Sequence, residues 1–213
     1  ARQWHAKLRN EMIKHGFTPC KHEPCLFMKT DATGTVYVMV HVDDALVIGP
    51  RAAVNRAKQL MKNMFEIKDM GMASYFLGMM ITRHTDGGYS LDQPKYVHDM
   101  LNRFHMADCR PTSTPIPVGL KLSRYEGDLL PPDHQYQALV GSLIYLAVNT
   151  RPDISHAVGI LSRFMAYPTT THWEAAKHVL RYLKGTSTLG LRFRGHASTG
   201  NQGVCAWEMY ADA

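Results

Sequence analysis

Apolar residues along the first fifteen positions recur at helical spacing. Trp4, Leu8, Met12 and Ile13 lie on one side, with Lys7, Arg9, Glu11 and Lys14 on the others. Gly16 follows as a C-terminal cap. The period then changes. Val36, Val38, Val40 and Val42 alternate with Tyr37, Met39 and His41, which predicts a strand over 35–42. Both faces are largely apolar, so the strand is expected to be covered on at least one side. A second strand, 45–48, follows at once. The hairpin turn between them must fall on Val42–Asp44, without the usual turn glycine. Pro50 opens a helix to Met64 with Val54, Ala57, Leu60, Met61 and Met64 as its apolar stripe. Segments 73–84 and 88–93 flank Thr85–Gly88, a strong turn signal that predicts another hairpin.

From Pro94 the pattern is helical. Tyr96 or Val97, Met100, Leu101 and Phe104 share a face. A proline-rich stretch, 109–119, excludes helix or central strand. Three helices are predicted beyond it, at 136–148, 153–165 and 172–184, and then a trailing strand. Thr171 and Glu174 have capping-box spacing for the last helix. The predicted class is α+β: antiparallel hairpins with packed helices to about residue 92, then a mostly helical region. The first residues lack an initiator Met and an apolar signal segment, and the last alternate apolar and polar with no closing turn. Both ends are expected to be cuts in a longer polypeptide.

Composition adds bounds. The 213 residues hold 45% hydrophobic and 20% charged residues, an ordinary globular balance. No apolar run is long enough for a transmembrane helix, so no membrane partner is expected. Cys20, Cys25, Cys109 and Cys205 are scattered and read as free thiols in a reducing compartment. The net charge of +6 is uneven. Residues 30–93 carry six Lys/Arg against seven acids, whereas 94–196 carry twelve against seven. An acidic centre beside basic flanks suits a polyanion held near an acidic site, and equally an ordinary basic protein.

The chemistry centres on Asp43 and Asp44, two adjacent carboxylates in an otherwise apolar hairpin. At an effective dielectric of about 20, carboxylates a few ångströms apart repel by about 4 kcal/mol. A proton or a cation must offset this, unless the turn is simply solvated. A hard divalent ion is the natural cation, and Mg2+ takes one or two carboxylates plus substrate phosphates. Two such ions could serve phosphoryl transfer, given a third carboxylate. Asp31, Asp69 and Asp92 are in the chain, but none sits in an equally apolar strand.

The run HVDDALVIG resembles the Tyr-Val-Asp-Asp hairpin of reverse transcriptases, in the form found in copia-type long-terminal-repeat retrotransposons. The neighbours agree in order. These are RQWHAKLRNEMIKHGFTPCKHEPCLFMK, FEIKDMGMASYFLGMMI, LDQPKYVHDMLNRFHM, YQALVGSLIYLAVNTRPDISHAVGILSRFM, HWEAAKHVLRYLKGT and a final MYADA. The resemblance covers essentially the whole chain. It implies a partial palm over 1–92, a thumb and connection region over 93–196, and the first strand of a ribonuclease H domain over 197–213. It also implies that Asp43 and Asp44 are metal-binding carboxylates for two Mg2+ ions in the intact polymerase. By the same likeness Phe76, Leu77 and Gly78 form the hairpin that grips the primer end, and Asp212 is the first metal-binding acid of ribonuclease H. Expected partners are an RNA/DNA template-primer, a deoxynucleotide and further segments of a DNA-integration polyprotein. The expected location is intracellular, in a cytoplasmic virus-like particle or the nucleus.

Departures matter too. The family's first palm carboxylate and its fingers map upstream of residue 1, and His41 stands where the family usually has Tyr. The chain by itself is therefore expected not to polymerise. The alternatives are a non-catalytic nucleic-acid-binding remnant, a relic, or a protein scaffold. Lys177, Arg181 and Lys184 make a basic ridge on the last helix, either a solvated face or a phosphate contact. His172 and His178 fall on different helix faces, which argues against zinc. Ser142 lacks the glycines of a nucleophile elbow.

Overall fold

In a computed structural model the structure describes residues 2–194. The chain forms two compact units, divided between Ala73 and Ser74. The expected Asp212 and Cys205 lie outside the described residues.

The first unit starts with α1 (Arg2–Lys14) and ends with α2 (Arg51–Met64). Between them β1 (Thr18–Pro19), β2 (Leu26–Asp31), β3 (Gly34–His41) and β4 (Asp44–Ile48) form an antiparallel sheet in sequential order. Leu8 and Met12 of α1, Ala53, Ala57 and Met61 of α2, and Val36, Val38 and Val40 of β3 build its core with Phe17 and Phe27. The helices thus cover the valine face of the sheet. The other face carries Tyr37 and Ile48, both exposed. Val42, expected on the buried valine face, is 65% exposed because it has left the strand for the turn. Strand β2, which the apolar pattern of β3 does not announce, pairs with β3 from Leu26↔Met39 to Asp31↔Gly34.

The second unit has its own sheet, also sequential and antiparallel: β5 (Tyr75–Phe76), β6 (Met79–Arg83), β7 (Tyr89–Asp92) and β8 (Gly190–Phe193). The expected trailing strand is β8, paired with β7. That pairing ties the β6–β7 hairpin to the strand that follows the helices. The helices are α3 (Pro94–Arg103), α4 (Tyr136–Asn149), α5 (Ser155–Ser162) and α6 (Thr170–Gly185). Tyr136, Leu139, Leu143 and Leu146 of α4 meet Ile154, Leu161, Val179, Leu180 and Leu183 in one buried cluster.

Two local expectations change. The capping box of α6 lies at Thr169 and His172, not Thr171 and Glu174. The Thr169 N–H donates to Nδ1 of His172 at 2.9 Å, and this starts the helix earlier. The helix predicted over 153–165 is interrupted. Pro152–Ile154 forms a 3₁₀ turn, and α5 ends at Ser162. Arg151, before that turn, is 1% exposed. It donates to both carboxylate oxygens of Asp153 and to the carbonyl and hydroxyl of Thr186.

Candidate metal-binding hairpin

Pairing of β3 with β4 runs from Tyr37↔Ile48 to His41↔Asp44. The loop is therefore two residues, Val42 and Asp43. Such a loop needs positive φ at one or both positions, which glycine or asparagine supplies easily. Here the residue is valine, at φ +52°. A β-branched side chain in the left-handed region is a true outlier, at a cost of about 1–3 kcal/mol.

Neighbouring elements hold the turn. The indole Nε1–H of Trp4 donates to the Val42 carbonyl at 2.9 Å. Trp4 stands in turn edge-to-face on Phe65, with ring centroids 5.4 Å apart at 71°. Phe65 caps the C-terminus of α2, its N–H bonded to the Met61 carbonyl. Helix α1, the end of α2 and the hairpin tip thus meet at one indole.

Both aspartates are exposed. Asp43 is in the loop. Asp44 faces His41 across the ladder, on the sheet face the helices leave open. Among the described residues neither carboxylate has an ion pair. Asp31 and Asp69, two other acids of this unit, are engaged elsewhere. Asp31 is bonded by the side chain and backbone of Thr33 and by Arg56, which hold its carboxyl below the usual range. It also ends β2 opposite Gly34, the far end of β3, about 24 Å from the tip at the rise of an antiparallel strand. Asp69 is held low by Lys58, at 2.8 Å, and by the Gly71 N–H. Among the described residues no group of three His, Cys, Asp or Glu side chains could hold a metal ion.

In the second unit Phe76 and Met79 close another two-residue loop, Leu77–Gly78. Its φ values are +50° and +81°, as a type I′ turn requires. Gln93 donates from Nε2 to the Gly78 carbonyl at 3.2 Å and accepts from the Thr150 hydroxyl at 2.8 Å. Gln93 and Thr150 are both buried. The Tyr145 hydroxyl reaches the Leu77 carbonyl at 3.4 Å. Neither Trp4 nor Gln93 stood out as a brace in the sequence. Each lies near an element end, where a polar group faces a turn from a distant part of the chain.

The basic ridge on α6 is partly occupied. Lys177 is paired with Glu174 at 2.5 Å, and Lys184 donates to the Cys109 carbonyl at 2.7 Å. Arg181 has no ion pair among the described residues.

The family model described as reverse transcriptase (RNA-dependent DNA polymerase) matches residues 1–118. This chain belongs to the reverse transcriptase family. The matched residues include the Asp43–Asp44 hairpin and the Leu77–Gly78 turn. Similar proteins agree. A retrovirus-related Pol polyprotein from transposon TNT 1-94 of Nicotiana tabacum is 37% identical over 91% of this chain and 15% of its own length. One from transposon RE1 of Arabidopsis thaliana is 40% identical over 89% of this chain and 13% of its own length. A transposon Ty5-1 protein of Saccharomyces cerevisiae is 33% identical over 99% of this chain and 67% of its own. The chain thus spans about a seventh of the plant polyproteins. No solved structure gives a significant match. Reverse transcriptase domains are metal-dependent in general, and no helix among the described residues is long and apolar enough to cross a membrane.

Proposed function

We propose that this chain supplies the catalytic hairpin, thumb and connection of an RNA-directed DNA polymerase from a copia-type retrotransposon, with a palm over 1–92 and a thumb region over 93–196. The observation that carries the proposal is the hairpin tip: two adjacent, exposed carboxylates with no ion pair among the described residues, in a chain of this family. Asp43 and Asp44 fit a hard dication, since each offers free oxygens to solvent. Bound Mg2+ would supply charge neutralisation on the nucleotide phosphates and activation of the primer 3′ hydroxyl. The chain's own part is positional. The β3–β4 ladder projects the carboxylates past the open sheet face, and the Phe76–Gly78 turn holds the primer end. Arg181, without an ion pair among the described residues, is the member of the basic ridge available to a phosphate. The expected location remains intracellular.

A third carboxylate has to join the tip before polymerisation. A second reading, a nucleic-acid-binding remnant, is favoured by that need and by His41 in the place of Tyr. One experiment separates the two. An RNA template annealed to a DNA primer is titrated with the chain, with and without Mn2+, and read by fluorescence anisotropy. The polymerase reading expects Mn2+ to tighten binding in the parent and to do nothing in Asp43→Asn/Asp44→Asn. An identical response in both proteins removes the metal role and leaves the remnant. Primer extension by the chain alone would refute the requirement for a third carboxylate.

A further inference from the structure

The Val42 backbone has a cost that the sequence does nothing to lower. Asparagine or glycine at position 42 would enter the left-handed region with little strain. Valine does not, and at 65% exposure it gains little burial in return. Its alternative is to relax toward extended backbone, which would re-aim the next residue, Asp43. What opposes relaxation is the bond from Trp4 to the Val42 carbonyl, the one side-chain hydrogen bond that reaches the loop from outside its own ladder among the described residues. Trp4 is itself 38% exposed, so its ring is only partly committed to the core. The polar end of the indole is committed to one acceptor. Phe65 fixes the ring edge-to-face, which leaves the N–H little choice of direction.

We propose that Trp4 is a positioning residue for the metal-binding hairpin: its indole N–H clamps the Val42 carbonyl, holds the turn in its left-handed conformation and thereby aims Asp43. The inference rests on the metal-binding reading of Asp43 and Asp44. It assigns to α1, which carries no acid or metal ligand at the tip, a direct share in the site.

The test uses the whole chain and a double-mutant cycle. Trp4→Phe keeps an aromatic ring against Phe65 and removes the N–H. Val42→Asn makes the left-handed turn easy without the clamp. Mn2+ binding is followed by electron paramagnetic resonance and by paramagnetic broadening of the Asp43 and Asp44 amide signals. Val42 carbonyl and Cα chemical shifts report the turn itself. Trp4→Phe is expected to weaken Mn2+ binding roughly fivefold, the scale of one hydrogen bond, and to move the Val42 shifts toward extended values. Adding Val42→Asn should restore affinity and return the position-42 shifts, taken relative to the random-coil values of the residue present, to left-handed values, a rescue that a general folding role of Trp4 would not give. Unchanged affinity in Trp4→Phe, or no rescue in the double variant, overturns the clamp while leaving the metal site standing. No broadening at Asp43 and Asp44 in the parent overturns the metal reading, and the aiming role falls with it.

Discussion

The two hairpin tips solve the same geometric problem by different means. Each closes antiparallel strands with a two-residue loop, and each needs left-handed backbone. At Leu77–Gly78 the second position is a glycine, and the loop carbonyls meet donors from Gln93 and Tyr145. At Val42–Asp43 the left-handed residue is an exposed valine, and one half-exposed indole meets its carbonyl. The first loop is built for shape, with glycine relieving one of its two left-handed positions and an unbranched leucine at the other. The second keeps its strain and leaves its acidic side chains in water. Strain concentrates where a site must project groups that do not help folding.

The largest test turns the relaxed tip into the strained kind. Gly78→Val places a β-branched residue at φ +81°. A Cβ there also comes within 2.8 Å of the Tyr145 hydroxyl. The ring can swing aside, so most of the cost is backbone. A loss on the order of 3 kcal/mol is expected in urea unfolding. A loss no greater than a surface substitution would mean that this turn is not held in the type I′ form.

A smaller change removes the brace and keeps the glycine. Gln93→Leu is close in volume, but it strips the half-buried Gly78 carbonyl of its donor and the buried Thr150 hydroxyl of its acceptor. Leaving buried polar groups unpaired costs about 2 kcal/mol. Hydrogen exchange should then speed up at the β5–β6 tip and at the C-terminus of α4 together. Faster exchange at only one of them would show that Gln93 does not couple the two.

How much of this was legible beforehand follows the range of the forces. The α2 and α3 stripes, the Val42–Asp44 turn and the α+β class are set by neighbours within a few residues, and they stand in the structure. The Asp43–Asp44 pair stands out because two charges interrupt an apolar run, although a solvated turn accounts for them too. Strand β2 was missed because Leu26–Met28 make too short an apolar run beside Lys29 and Asp31 to show alternation. Its place is set by pairing with β3. The α6 cap was put two residues late because a histidine can take the acceptor role expected of glutamate. Trp4 looked like core because its apolar ring fits the α1 stripe. Its N–H matters only once a residue thirty-eight positions away is brought beside it.

The smallest expected effect sits one residue before the Gln93 brace. Asp92 lies in β7 opposite Met80, and its Oδ1 is buried without a partner among the described residues. Burial pushes its carboxyl above the usual range. The folded state then holds the proton more tightly than the unfolded chain. The associated stability is present below the unfolded value, about 3.9, and is lost as pH rises through the higher folded value. At neutral pH the wild type therefore carries the cost of an ionised, partly desolvated group, and Asp92→Asn should be slightly more stable. The gap should close as pH falls below the unfolded value, because wild type and variant are then both uncharged at this position. Paired urea titrations at neutral and acidic pH measure it. An advantage that grows in acid would mean that Asp92 is stabilised as an anion, and that the strand before Gln93 takes part in holding charge near the second tip.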